Sequence, residues 1–444
     1  MARHRLYPVL AAILTSLITT TLCHEPFIVQ FEWNYINYTW PSEEAYTKAE
    51  KDGGYIERNN VISGIKHWKG RMYLTIPRWR DGVPVTLAST PSHPVDGITA
   101  PKLEPYPNWD MQKLDDCSAL QNVQGIEIDP KGRLWVLDSG RTNILALEAR
   151  TTCPPRLVLL DLEDNGAVLR SYSFPPDVVH PESAYLRDLV IDHEDGGFAY
   201  ISDADEKHPG VIVVSVENST SWKVSHESMR GKDGDVTFVI EQTRNTRKNH
   251  IYGLALSPAS AEGERMLYYC PMSSFAMFTL PTSALKDEVI RSDVRSYVKV
   301  LGRKPSQTDG MIMSNSGILY FGLLGDDAVS MYNSTPVNGR QPSFMTGQRI
   351  ISRDHHHMQW PTSFAFDEHK QLWAITNRLH RFLDNTLNIE EPNFRAVMSK
   401  VNMTSYQYLE NGTAPEIPNI EAGAASTSIT LATLLIVLMA ILAQ

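Results

Sequence analysis

The chain has 444 residues, of which 42% are hydrophobic, 9% aromatic and 21% charged, and its formal net charge is −10. The hydrophobic content is ordinary for a globular core, and an acidic balance without a patch of Lys and Arg speaks against binding to nucleic acid or to anionic membrane surfaces. A chain of this length usually folds as two or three domains, but one repeat spans most of it. We therefore predict a single large domain with terminal extensions.

Residues 1–23 have the pattern of a secretory signal peptide. Arg3, His4 and Arg5 form a basic start, residues 10–18 form an apolar core, and residues 19–23 form an exit of small residues. The apolar core is too short to cross a bilayer. We predict cleavage near Cys23 and secretion of the rest, and an uncleaved signal anchor is the alternative.

The next segment, residues 25–60, has two parts. The run from Phe31 to Trp40 is rich in aromatic residues, and the stretch from Ser42 to Asp52 is polar and helix-prone. We predict that the aromatic run is an outer strand by which the N-terminus closes a ring of sheets.

A hairpin pattern recurs six times along the chain. In its fullest copy, residues 121–140, the apolar residues Ile126 and Ile128 alternate with other positions before a turn in which Pro130 presets φ and Gly132 can adopt a positive φ. Every copy has an aromatic residue on its second strand, at intervals of roughly 50 to 70 residues: Tyr73, Trp135, Tyr200, Tyr268, Tyr320 and Trp373. Small sheets repeated at such a period around an axis make a β-propeller. The sequence therefore predicts an all-β, six-bladed β-propeller over residues 24–410.

Three long connectors interrupt the repeat at residues 80–116, 204–250 and 335–360. The first contains six prolines and cannot be continuous sheet, so we predict that it crosses from blade to blade over one face. Long loops on a rigid scaffold are where functional residues tend to lie.

The four cysteines predict one disulfide. Cys23 leaves with the signal peptide, and Cys117 and Cys153 flank the second hairpin, so we pair them in an oxidising compartment. Cys270 is left over. We predict a buried free thiol there, and a reactive nucleophile is the alternative.

Because we predict that the chain is exported, its Asn-x-Thr sequons are candidate acceptors for N-linked glycans. We predict glycosylation at all five: Asn37, Asn218, Asn333, Asn402 and Asn411.

The C-terminus departs from a simple secreted propeller. Residues 411–428 form a linker that ends in small residues, and residues 429–444 form a hydrophobic tail. The apolar run is short for a spanning helix, and small residues followed by such a tail fit a GPI-anchor signal. We predict a lipid anchor at the cell surface, with a membrane helix and another fate as alternatives.

No strong catalytic motif is present. The sequence has no Gly-x-Ser-x-Gly elbow, no His-Glu-x-x-His, no Cys-x-x-Cys and no phosphate loop. The triplet His355–His357 cannot aim three rings at one metal from an extended loop, so we predict a solvated loop there, with a metal site as the alternative. We expect no metal and no cofactor.

Propeller geometry directs attention to one mouth of the central channel. The first strand of each blade lines that channel, so the residues that begin these strands should ring the mouth: Ser63, Gln124, Arg187, Asp188, Tyr252, Asp309 and Thr362. Convergent polar groups in a concave site suit a small ligand, although such groups can also satisfy one another through water. Asp188, Asp309 and Gln124 also resemble the layout of calcium-dependent lactonase propellers. Since calcium needs more oxygen ligands than two carboxylates supply, a metal hydrolase ranks second.

Motifs that follow one another in every blade add a resemblance. They are Phe31–Trp33, Ile76–Trp79, Leu134–Gly140, Cys153–Asp161, Tyr185–Asp188, Tyr200–Asp203, Tyr252–Gly253 and Leu372–Leu379. Over residues 26–400 they resemble the insect yellow/major royal jelly protein family. The resemblance implies a secreted six-bladed propeller connected with melanin pigmentation and with hardening of cuticle or eggshell. Some members convert dopachrome, salivary members bind biogenic amines such as serotonin in the channel, and royal jelly members are nutritive or sterol-associated.

The resemblance also implies that Thr362 and Asn377 contact an amine. Two features depart from the family pattern. Met331 and Tyr332 stand where many members have Cys-Trp, which removes a partner for Cys270, and the apolar tail is not general in the family. The tail suggests that this protein is held on a surface.

We therefore predict a protein that binds a small biogenic amine or a catechol derivative at the channel mouth, in pigmentation or in sclerotisation of cuticle or eggshell. Asp309 or Asp188 would oppose an amine's charge, Tyr252 would stack on its ring, and Thr362 and Asn377 would bind its polar end. One alternative is a dopachrome-converting isomerase, for which Asp188 and Asp309 are the acid–base candidates. The other is a structural matrix protein without a small ligand.

Overall fold

The computed structural model describes residues 26–258, 264–336 and 340–420. The predicted signal peptide, the predicted hydrophobic tail and the end of the predicted linker lie outside these residues. Within them, no helix is long and apolar enough to cross a membrane.

Six four-stranded antiparallel sheets form the blades of a β-propeller, which confirms the predicted fold. Strand β1 (Ile28–Trp33) precedes the first blade. Blade one is β2 (Gly64–Trp68), β3 (Arg71–Thr75), β4 (Leu87–Pro91) and β5 (Glu104–Pro105). Blade two is β6 (Val123–Ile128), β7 (Arg133–Asp138), β10 (Arg156–Asp161) and β11 (Ala167–Ser173), with the hairpin β8 (Arg141–Thr142) and β9 (Arg150–Thr151) inserted after β7.

The remaining blades follow the same order. Blade three is β12 (Leu186–Asp192), β13 (Phe198–Asp203), β14 (Gly210–Ser215) and β15 (Thr220–Val224). The hairpin β16 (Phe238–Ile240) and β17 (Thr243–Asn245) leads to blade four, which is β18 (Ile251–Leu256), β19 (Met266–Pro271), β20 (Ala276–Pro281) and β21 (Lys299–Arg303). Blade five is β22 (Met311–Met313), β23 (Ile318–Leu323), β24 (Ala328–Asn333) and β25 (Gln348–Arg353). Blade six is β26 (Pro361–Phe366), β27 (Gln371–Asn377), β28 (Phe394–Lys400) and β1.

The innermost strands close the ring. Each first strand contacts the first strands of both neighbouring blades, and β2 completes the circle against β26. The N-terminal strand β1 pairs with β28 as the outer strand of blade six, which confirms the predicted closure.

In blades two and six, an aspartate in the turn of the first hairpin holds the tryptophan of the second strand. Asp129 accepts the indole N–H of Trp135 at 2.9 Å, and Asp367 accepts that of Trp373 at 2.8 Å. The same carboxylates accept backbone N–H groups of their own turns. A buried indole needs a hydrogen-bond partner, so the aspartate fixes both the turn and the aromatic side chain on the second strand.

The three predicted connectors differ from the structure. Strands β4 and β5 lie inside residues 80–116, β14 and β15 lie inside residues 204–250, and β25 lies inside residues 335–360. Only part of each segment therefore connects blades. The outer strands β5, β15 and β25 are partly exposed and have weak apolar alternation, so the sequence pattern missed them. The third strands β4 and β14 are buried, and the pattern, which describes only the first hairpin of each blade, does not reach them.

The described residues also form four short α-helices. Helix α1 (Glu43–Lys51) occupies the predicted helix-prone stretch, and the Ser42 side chain caps it by accepting the N–H of Ala45. The others are α2 (Thr282–Lys286), α3 (Phe344–Gly347) and α4 (Leu379–Leu383).

The cysteines are arranged as predicted. Cys117 and Cys153 form a disulfide whose Cα atoms are 5.4 Å apart. Cys270 is a buried free thiol on β19, and burial raises its pKa, so it is not a thiolate nucleophile at neutral pH.

The two ends of the channel differ. We call the end where the first strands begin the mouth face, and the end where they turn into the second strands the turn face. Residues 401–420, the C-terminal strap, cross the turn face. The Ile191 N–H donates to the Tyr406 hydroxyl at 2.8 Å, Gln407 donates to the Ile128 carbonyl at 2.9 Å, and Lys131 donates to the Ile417 carbonyl at 2.8 Å. The first residues of the predicted linker therefore lie against the propeller.

Candidate functional site

Arg187 is the centre of the polar cluster at the mouth face. Its guanidinium donates to Ser63 Oγ at 2.8 Å, to Asp309 Oδ1 at 2.6 Å and to Thr362 Oγ1 at 2.9 Å. It also lies over the ring of Tyr252, 5.0 Å from the centroid. Five of the seven predicted side chains thus lie together, and direct hydrogen bonds and a cation–π contact join them across five blades.

Both carboxylate oxygens of Asp309 already accept hydrogen bonds from neighbouring side chains. Arg187 occupies Oδ1, and the Trp360 indole and the Thr362 hydroxyl donate to Oδ2 at 2.8 and 2.9 Å. Burial alone would lower the pKa of Arg187, but Asp309 raises it above its ordinary value. The two side chains form a buried ion pair in the channel wall.

The channel below this pair is narrow, with a volume of about 30 Å³, and Gln124, Asp188 and Thr362 line it. Asp188 accepts the backbone N–H groups of Leu189 and Leu254, both at 2.9 Å. Enclosure by protein raises the pKa of Asp188 to about 6. The space holds one or two waters, so Asp188 lies below the ligand-sized part of the site.

A much larger cavity of about 500 Å³ opens at the mouth face. Arg187, Tyr252 and Asp309 form part of its lining, and these are the predicted site residues that reach it. Its volume is within the range of small-molecule sites. The channel mouth therefore has room for a compact ligand.

The walls of this cavity come from residues that sequence reasoning did not assign to the site. Trp79, Tyr185 and Trp360 supply aromatic rings, and Leu379 and Leu383 of α4 supply apolar surface. The Tyr185 and Tyr252 rings meet edge to face at 5.9 Å, and their hydroxyls are 3.1 Å apart. Trp79 and Tyr185 did lie in the family motifs Ile76–Trp79 and Tyr185–Asp188, which was the available signal.

Positive charge and hydrogen-bond donors predominate in the lining. Its cationic residues are Arg141, Arg187, Arg247 and Lys248, against the acidic Glu206 and Asp309. The Nε atoms of Arg141 and Arg187 and the Trp79 indole nitrogen are buried and have no hydrogen-bond partner in the part of the chain that the structure describes. Buried N–H groups without partners are rare in folded proteins.

The remaining predicted positions lie elsewhere. Asn377 donates to the Ile62 carbonyl at 3.2 Å and accepts the Leu379 N–H at 3.0 Å, so it holds the start of α4 and is not part of the cavity lining. In the histidine triplet, His355 and His357 contact different carboxylates, Asp327 and Asp354. Among residues 26–258, 264–336 and 340–420, no group of three or more His, Cys, Asp or Glu side chains could hold a metal ion.

Comparison with known proteins gives a family match over most of the chain. The family model described as "Major royal jelly protein" matches residues 121–407. "Protein yellow" of Drosophila guanche is 31% identical over 379 residues, covering 82% of this chain and 64% of that protein. "Protein yellow" of Drosophila pseudoobscura pseudoobscura is 30% identical over 399 residues, covering 87% of this chain and 68% of that protein. The chain thus spans about two thirds of the length of these relatives.

A solved structure described as a luciferin-regenerating enzyme is 13% identical and covers 83% of this chain and 96% of its own, with a TM-score of 0.44. A score of this size carries no argument about function.

Proposed function

The chain belongs to the major royal jelly protein family, and from that premise we propose that its mouth cavity binds a small, flat aromatic molecule that carries oxygen atoms, of the catechol-derived class. The setting we propose is pigmentation or the sclerotisation of cuticle or eggshell, outside the cell. The Cys117–Cys153 disulfide supports an oxidising compartment.

The shape of the cavity supports an aromatic ligand. A volume of about 500 Å³ exceeds that of a single ring with short substituents, and the rings of Trp79, Tyr185, Tyr252 and Trp360 supply flat apolar surface. Aromatic pairs are stabilised by about 0.5–1.5 kcal/mol beyond the area they bury. A ring that enters this mouth can therefore contact other rings on several sides.

The observation that carries the proposal is the charge balance of the cavity lining. Its cationic residues are Arg141, Arg187, Arg247 and Lys248, and its acidic residues are Glu206 and Asp309. Both oxygens of Asp309 already accept hydrogen bonds from neighbouring side chains, and Glu206 is exposed at the rim. A ligand with phenolic, quinone or carboxylate oxygens suits this excess of positive charge better than a cationic amine does. The charge balance thus favours the catechol-derived ligand over the biogenic amine.

Calorimetry on the secreted full-length chain tests this with two matched ligands. Dopamine and 3,4-dihydroxyphenylacetate share one catechol ring and differ in an amine or a carboxylate. We expect the carboxylate to bind more tightly, and serotonin and octopamine to bind weakly. Tighter binding of dopamine would contradict the charge argument, and no heat with any of the four would refute small-ligand binding at this mouth.

A pair of lysine variants links the binding to the cavity. Lys248→Met removes one exposed cation from the lining, so it should weaken the carboxylate ligand by roughly 2- to 10-fold, as expected for one polar contact. Lys69→Met is the control, because Lys69 pairs with Glu163 at the surface, outside the cavity lining. Equal effects of the two substitutions would contradict the assignment.

The tyrosine pair favours one second candidate, the dopachrome-converting isomerase. Tautomerisation needs an acid–base group that reaches the ligand. Tyr185 and Tyr252 line the cavity, whereas Asp188 lies in the narrow channel. Burial raises the pKa of both tyrosines, so each would act from its protonated form. Loss of dopachrome absorbance faster than the spontaneous rate would support this activity.

Variants identify the group responsible for any such activity. We expect Tyr185→Phe to lower it more than Asp188→Asn. Activity that is lost in Asp188→Asn and retained in Tyr185→Phe would return the role to the aspartate. A structural matrix role would have been favoured by a mouth without a cavity, and the observed volume does not favour it.

A further inference from the structure

The predicted glycosylation sites are not spread evenly over the molecule. We propose that N-linked glycans cover the turn face and leave the mouth face clear, with Asn218, Asn333, Asn402 and Asn411 occupied and Asn37 unoccupied. The proposal assigns modification to one side of the propeller and does not depend on what the cavity binds.

Strand direction explains the segregation. In each blade the first and third strands run from the mouth face to the turn face, because neighbouring strands are antiparallel. Asn218 follows the third strand β14, Asn333 is the last residue of the third strand β24, and Asn402 follows the third strand β28. All three sequons therefore emerge at the turn face.

Backbone hydrogen bonds fix each of these sequons to the turn of its own first hairpin. Val216 N–H donates to the Gly197 carbonyl, Ser334 N–H to the Gly317 carbonyl, and Asn402 N–H to the Lys370 carbonyl, all at 2.9 Å. Gly197, Gly317 and Lys370 lie between the first and second strands of blades three, five and six. The positions of these sequons on the turn face thus follow from pairing within the blades.

Asn411 reaches the same face by another route. It lies in the C-terminal strap, which Asn315 holds by donating to the carbonyls of Leu409 and Glu410 at 3.0 and 3.3 Å. The Asn411 side chain accepts the N–H of Thr413 at 2.9 Å and its hydroxyl at 2.7 Å, so the sequon forms a compact surface turn. Glycans are bulky and need an exposed asparagine, and all four of these asparagines are exposed.

Asn37 differs in both position and environment. It follows β1, which runs toward the mouth face, and it is only half-buried rather than exposed. Its side-chain oxygen accepts the Tyr38 N–H at 2.7 Å and the Trp40 indole at 3.0 Å. The aromatic side chains of Tyr38, Trp40 and Tyr55 pack around one another beside it, which leaves little room for a sugar.

Site mapping tests the assignment. The secreted full-length chain, made in insect cells, is treated with an amidase that releases N-glycans in ¹⁸O water, which converts each occupied asparagine to labelled aspartate. We expect label at Asn218, Asn333, Asn402 and Asn411 and none at Asn37. Label at fewer than three of those four, or at Asn37 in more than half of the molecules, would overturn the proposal.

Lysine acylation of the native protein tests the coverage itself. Lys370, exposed in the turn bonded to Asn402, should react at least 3-fold faster after the glycans are removed, whereas Lys248 at the mouth should not change. The variant Thr404→Ala removes the Asn402 sequon and should expose Lys370 without enzyme treatment. An unchanged Lys370 rate in both experiments would show that the turn face is not covered.

Discussion

Removal of one partner from the buried ion pair between Arg187 and Asp309 should be among the most destabilising changes in the ring. Their side chains are only 5% and 2% exposed, and the charged atoms are 2.6 Å apart. Arg187→Met removes the cation and leaves the Asp309 carboxylate buried with two neutral donors, Trp360 and Thr362. Breaking one side of a buried pair costs about 3–5 kcal/mol.

The corresponding change in melting temperature follows from chain size. Unfolding entropy near 60 °C is about 2.1 cal/mol/K per residue, which over the roughly 390 described residues gives ~0.8 kcal/mol/K. We therefore expect Arg187→Met to lower the Tm by about 4–6 °C in differential scanning calorimetry. The double variant Arg187→Met, Asp309→Asn should recover most of that loss, because no charge then remains buried alone.

A surface pair of equal length is the control. Lys69 and Glu163 are also 2.6 Å apart, but their side chains are 65% and 47% exposed. Lys69→Met should cost less than about 1 kcal/mol, or roughly 1 °C by the same conversion. If Arg187→Met shifts the Tm no more than Lys69→Met, or if the double variant is no more stable than the single one, burial does not make this pair important.

Three further predictions follow from other buried contacts. Arg78 donates to five carbonyls, two within blade one and three in the segment that leads to blade two. Arg78→Met should therefore lower the free energy of unfolding by about 4 kcal/mol. In chemical denaturation Arg78→Lys should recover little of this loss, since Lys has three donors. The pKa of Asp188 in the folded protein is about 6, above its ordinary value of 3.8. The folding stability that its protonated form contributes is therefore complete below about pH 4 and is lost as pH rises through 6. Unfolding titrations should therefore show the stability of the parent protein falling relative to Asp188→Asn across that window, by up to ~3 kcal/mol; a constant difference would contradict the raised pKa. Tyr406→Phe leaves the Ile191 N–H unpaired and should cost about 1–2 kcal/mol, with faster amide exchange at Ile191 as the check and an unchanged rate as the contrary result.

The sequence predicted the architecture because its repeated unit is local. A turn aspartate such as Asp129 or Asp367 and the aromatic residue six positions later, Trp135 or Trp373, hold each other within one hairpin. Such a contact leaves a readable pattern at fixed spacing. The outer strands, which pair with only one neighbour and face solvent, leave no comparable pattern, so β5, β15 and β25 were taken for connectors.

The candidate site could be predicted only in part, because it is assembled from distant segments. The positions that begin each first strand were readable, and Arg187, Tyr252 and Asp309 do reach the cavity. The sequence did not show that both oxygens of Asp309 accept hydrogen bonds, because the donors Trp360 and Arg187 come from other blades. The aromatic walls come from loops whose lengths fix no geometry in advance, which is why Trp79 and Trp360 were missed.

The pairing of β1 with β28 has a consequence for synthesis. As the nascent chain leaves the ribosome, β1 emerges first, and its partner follows more than 360 residues later, as the register Glu32 with Arg395 shows. Five blades can form during translation, but the sixth needs both ends of the protein together. Until then its strands present unpaired edges that invite wrong association, so chaperone demand should be greatest just before release.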